Sequence, residues 1–169
     1  MSAVLDREVV QPVAAPAESP LARAEAALKV SLQRWSIPAL RVALGAIFLV
    51  FGALKYFPGR SPVEDLVERT FEKFTFGFVG GHTAMVITAT AEVTAGLLLI
   101  LGGRFTRYGL AVFALAEVGI LSPIVLLPHD VFGPLGPTLT GQYIFKNVVL
   151  IAGALVVASR ALRGPDARN

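Results

Sequence analysis

The chain contains no cysteine, which excludes a thiol redox pair, a cysteine-ligated iron–sulfur cluster and any disulfide. A redox centre therefore has to be borrowed from a bound molecule or a partner. Imidazole is scarce as well: His82 and His129 are the only two, and each sits at the edge of an apolar run, where solvated or loop-capping histidines outnumber haem or metal ligands. No metal site is expected. There is no Gly-rich phosphate loop, no nucleophile elbow and no HExxH pair, so the familiar hydrolase and nucleotide-binding chemistries have no carrier. Charge is sparse too. Only 16% of the 169 residues are charged against 54% hydrophobic, and a mean hydropathy of +0.67 is too apolar for a water-soluble domain of this length.

What the chain has instead is four apolar blocks of membrane-spanning length, about 20 residues each at a rise of ~1.5 Å per residue. They run over 37–57 (IPALRVALGAIFLVFGALKYF), 83–101, 106–127 and 143–159, inside a transmembrane domain of 36–160. In lipid the backbone must satisfy its own hydrogen bonds, and none of the blocks shows the alternation of barrel strands, so each reads as a helix. The fold class is all-α, a membrane four-helix bundle.

The basic residues set the orientation. With the amino terminus inside, Arg7, Arg23, Lys29, Arg34, Arg104, Arg107, Arg160, Arg163 and Arg168 are cytoplasmic, while Arg60, Arg69 and Lys73 lie outside. Short loops such as GGRFTR carry this signal best, so both termini are placed in the cytoplasm and the protein in the cell (inner) membrane. The same asymmetry accounts for a pI of 9.6 without nucleic acid as a partner.

Residues 1–20 are rich in Pro, Ala and Val without periodicity or a secretory signal, and read as a flexible cytoplasmic tail; 161–169 form a second tail. Leu21, Leu28, Leu32 and Trp35 fall near one face of 21–35, a pattern for an amphipathic surface helix or, equally, an ordinary cytosolic lead-in helix. Between the first two spans, Val63, Leu66, Val67, Thr70, Phe71, Phe74 and Phe78 recur at helical spacing among acids and bases, predicting an extracytoplasmic amphipathic helix. Ser61 is its expected N-cap, Pro62 its first residue, Glu64 its capping-box partner, and Gly77 or Gly80 its stop. It is either a lid over the bundle or a surface helix filling the loop.

Inside the bundle, Arg41, Gly45, Phe48, Gly52 and Lys55 form one stripe along the first span, with two glycines for close approach. Glu92 and Glu117 fall near the middle of their spans, ~15 Å from either end, too deep to snorkel. Each needs a proton or a partner. Lys146 is the expected partner, sharing a face of the fourth span with Tyr143 and Asn147. Lys55, Glu92, Glu117, Tyr143, Lys146 and Asn147 are thus expected to form either a ligand-binding polar pocket or a structural network.

Three stretches carry a resemblance: RVALGAIFLVFGALKYFPG, AEVTAGLLLILGGRFTRYG and PTLTGQYIFKNVVLIAGALVVA. Through them the chain, from Pro38 to Ala158, resembles the DoxX-like family of small four-helix membrane proteins. The residues that match the shared pattern are Lys55, Glu92, Gly96, Gly141, Gln142, Tyr143, Lys146 and Asn147. The resemblance implies membership in a group that includes a small subunit of a thiosulfate:quinone oxidoreductase and proteins linked to membrane redox complexes. The long amphipathic segment after FPG departs from the shortest members. Two readings follow. In one, a redox-associated subunit binds a quinone-like molecule between its helices, Lys55 and Lys146 meeting carbonyl oxygen and Glu92 or Glu117 handling protons. In the other, a non-catalytic accessory or scaffold subunit docks a redox protein, a membrane-complex subunit or lipid, its buried charges fixing helix register. Transport would require an oligomer.

Overall fold

The computed structural model describes residues 19–162; the two expected tails lie outside the described residues up to position 18 and from position 163. The chain divides into two compact units, 1–34 and 35–169. In the first, the described residues are exposed and helical from Pro20. Where the sequence pattern suggested a surface helix followed by a span, a single helix, α1 (Pro20–Leu54), runs through Pro38. Proline removes one backbone donor. The strong helix formers on either side, AALK and ALRVAL, carry the helix past it.

In the second unit α1 is followed by α2 (Glu64–Phe74), α3 (Gly81–Leu101) and α4 (Phe105–Leu121). Two single turns come next, α5 (Pro123–Leu126) and α6 (Pro128–Val131), then a two-residue antiparallel pair, β1 (Phe132–Gly133) and β2 (Gly136–Pro137), and finally α7 (Leu139–Ala161). Four helical segments are long and apolar enough to cross a membrane: Pro20–Leu54, Gly81–Leu101, Phe105–Leu126 and Leu139–Ala161. The all-α four-helix architecture is therefore confirmed. The third segment breaks at Ser122–Pro123, because Pro123 has no N–H to continue the ladder of α4. The fourth starts earlier than the turn-rich PTLTG suggested: the Thr138 hydroxyl accepts the Gly141 N–H at 3.0 Å and caps the helix.

Glycines set how closely the helices approach. A Cβ on Gly96 would stand 2.6 Å from both the Gly45 oxygen and the Leu49 nitrogen, and one on Gly52 would stand 2.8 Å from Glu92 Cβ. Backbone therefore meets backbone, and the pairing of 45 with 96 and 52 with 92 makes α1 and α3 antiparallel. At the far end of that contact Arg41 donates to the carbonyls of Leu99 and Ile100, closing the C-terminus of α3. Arg107 Nε does the same for α7 through Ala161 O at 3.0 Å. Both guanidinium groups sit where exposed carbonyls and the helix dipole favour a cation. Gly109 packs α4 on Leu98 and Leu99, Gly153 packs α7 on Leu40 and Leu44, and α4 meets α7, which closes the ring.

The interior has two apolar layers. One holds Leu44, Phe48, Ala95, Leu99, Phe113, Ala154 and Val157, with Phe48 and Phe113 rings 4.5 Å apart. The other, under α2, holds Leu66, Leu127, Val131 and Ile144. Outward-pointing Leu115 and Val149 are 70% and 73% exposed, as lipid-facing residues are in a protein viewed without its bilayer.

Candidate functional site

Between the two apolar layers lies a polar one. On α4, Phe113 belongs to the first layer and Leu121 packs on the second; Glu117 is four residues from each and so shares their inward face. Glu92 stands three residues before Ala95 on α3, and Lys55 is the first residue beyond α1. All three are buried, at 4%, 3% and 7% exposure for Glu117, Glu92 and Lys55. Lys55 Nζ donates to Glu92 Oε1 in a buried ion pair. Glu92 Oε2 and both oxygens of Glu117 are buried with no hydrogen-bond partner among the described residues. The ammonium of Lys55 serves Glu92, and three carboxyl oxygens remain unsatisfied among the described residues. An uncompensated buried carboxylate costs several kcal/mol, so a proton or a donor from outside the chain is needed to complete the layer.

The structure pairs Lys55 with Glu92 and buries Glu117 on the inward face of α4, and it leaves the α7 trio out of this layer. Lys146, the expected partner of Glu92, is exposed with its ammonium 5.0 Å from the centre of the Tyr143 ring. Asn147 Nδ2 donates to the Tyr143 carbonyl at 3.0 Å. The reason is helical geometry. The inward face of α7 carries Ile144, Ala154 and Val157, and a residue two positions past Ile144 is rotated by about 200° from it. The cation on Glu92 is Lys55 instead. Its signal was present in the stripe Gly45–Gly52–Lys55, because the face with the glycines is the one that must meet a neighbour. Depth differs as well. Glu92 is midway along α3 yet packs beside Gly52, near the end of α1, so the first part of α3 continues past the end of α1. His82 and His129 are exposed, and among the described residues no group of three His, Cys, Asp or Glu is placed to hold a metal.

The space left beyond the end of α1 is filled by α2, which packs against α3 and α5. Its expected cap is not used. Val63 takes the N-cap position without a side-chain bond, and Glu64 Oε2 accepts from Gly59 N at 2.7 Å rather than closing a box with Ser61. Leu66 and Thr70 face inward. Arg69 bonds Asp130 at 3.1 Å and Asp65 at 2.6 Å, and Lys73 donates to Leu126 O at 2.9 Å, fastening α2 to the α5–α6 turns. Arg69, Glu72, Lys73 and Leu127 line a cleft of about 450 Å³ there. A second, of about 380 Å³, runs along α3 between Val86 and Thr94 and reaches Val112. Beside it the Tyr56 hydroxyl meets Thr90 Oγ1 at 3.0 Å.

Four lipid-compatible helices packed through glycines around a buried charged layer define a small integral membrane protein. The chain belongs to the DoxX family, whose model matches residues 37–129, more than half of its length. Lys55, Glu92 and Glu117 all fall within that match; Tyr143, Lys146 and Asn147 lie beyond it. No curated protein and no solved structure matches the chain.

Proposed function

We propose that this DoxX protein is a redox-associated subunit of the inner membrane whose polar layer receives the head group of a quinone-like molecule in its reduced, hydroxyl-bearing form. One observation carries the reading: three buried carboxyl oxygens, Glu92 Oε2 and the two of Glu117, lack a hydrogen-bond partner among the described residues, while the one buried ammonium, Lys55, is paired with Glu92. As carboxylate oxygens they accept, so hydroxyl donors complement them. When bound, such a molecule supplies the electron-transfer chemistry. The residues of this chain hold its hydroxyls, keep water out through the apolar layers above and below, and take up protons at Glu117 and Glu92 Oε2. Lys55 keeps Glu92 oriented. A redox-active partner subunit would take the electrons that such a molecule gives up along with its protons. The one-sided Lys/Arg distribution supports an orientation with both termini cytoplasmic and α2 extracytoplasmic.

The alternative, a non-catalytic accessory subunit, draws on a different observation. The Lys55–Glu92 pair joins α1 to α3 where Gly52 packs on Glu92, which is where an ion pair fixes register. A titration of the full chain in lipid nanodiscs with a short-chain quinol and the matching quinone separates the two. The ligand-binding reading expects the quinol to bind better than the quinone, and Glu117→Gln to weaken it by roughly 10–100-fold, the equivalent of a charge-assisted hydrogen bond. Binding of neither form, together with loosening of the bundle by the same substitution, is the result for a scaffold.

A further inference from the structure

We infer that the turn between α2 and α3 is a membrane-anchoring wedge, with Phe76 and Phe78 seated in the lipid interface beside the span ends. Phe76 and Phe78 are each 91% exposed and Phe74 is 72% exposed. Exposure alone would mean little. Here the backbone is built to produce it. Phe76 is the one described non-glycine residue with positive φ, at 53°, a conformation that disfavours a bulky side chain and suits glycine. The next residue, Gly77, donates to Glu72 O at 2.7 Å, closing the end of α2. Thr75 then clasps the loop: its hydroxyl lies 2.6 Å from Phe71 O and accepts the Val79 N–H at 2.9 Å. Phe76, Gly77 and Phe78 project from this closed loop.

A phenylalanine held in a left-handed position and turned away from its own protein gains nothing from the fold, so its partner lies outside the chain. Location identifies that partner. Phe78 is three residues before Gly81, the first residue of a membrane-crossing helix, and three residues reach at most about 11 Å. The segment from Thr75 to Gly81, TFGFVGG, carries no charge, and Phe57, at the end of the first span, is 62% exposed. An uncharged aromatic loop within that distance of a span end lies at the boundary of headgroups and acyl chains, where aromatic rings are favoured.

Trp35 is the chain's only tryptophan, so Trp35→Phe with Phe76→Trp gives a single reporter at the tip, and Trp35→Phe with Phe78→Trp a second that avoids the left-handed position. Each full-length variant is reconstituted into phosphatidylcholine vesicles with and without bromine near the top of the acyl chains. The wedge requires blue-shifted emission that brominated lipid quenches and aqueous iodide does not. Water-like emission quenched by iodide overturns it. Emission shielded from iodide but untouched by bromine also overturns it, assigning the loop to a contact with a second copy.

Discussion

Glu92 is paired with Lys55 while Glu117 has no hydrogen-bond partner among the described residues, and that difference sets what each substitution should do. Lys55→Met leaves a buried carboxylate without its cation and should destabilise the bundle by about 3–5 kcal/mol; Lys55→Met with Glu92→Leu should recover most of that loss. Thermal unfolding in one detergent checks the pair, and equal losses in the single and double variants would show that the charge is not the cause. Phe76→Gly should leave stability in detergent unchanged or raise it by about 1 kcal/mol, because it relieves the left-handed backbone while giving up no contact inside the protein. At this scale the sequence was a good guide to residue type and a poor one to contact. Lys55, Glu92 and Glu117 stood out because charge in an apolar run is costly. That Lys55 rather than Lys146 reaches Glu92 depends on the rotation of α7, which spacing along one helix does not determine.

The helices themselves were legible because lipid leaves the backbone no alternative, and their ends were less so because ends are set by single hydrogen bonds. Thr138 starts α7 by accepting the Gly141 N–H, and Pro123 breaks the third span by lacking an N–H to donate. Thr138→Val should therefore cost about 1 kcal/mol, read as a lower unfolding midpoint. Helix contact gives a sharper forecast. Gly96→Val would drive side chain into the backbone of α1 and should cost at least 1–3 kcal/mol, whereas Gly119→Ala, with no atom within 4 Å of the new Cβ, should be neutral. The α2 segment was readable as an amphipathic helix from its periodicity. Its fastening to Asp130 and Leu126 was not, since both partners lie far along the chain.

For the whole molecule, the absence of cysteine makes any introduced one unique. In right-side-out vesicles a membrane-impermeant maleimide should label Pro134→Cys and spare Arg104→Cys; the reverse pattern would invert the orientation proposed from the basic residues. Between its two apolar layers the bundle holds one ammonium and two carboxyls, and three of the carboxyl oxygens have no donor among the described residues. The most direct test is native mass spectrometry with lipid extraction on the protein taken gently from its own membrane. A quinone-like molecule retained by the wild type and by Lys146→Met, and lost from a folded Glu117→Gln, is the predicted result. A stoichiometric protein partner with no small molecule, or a ligand lost only with Lys146→Met, would contradict it.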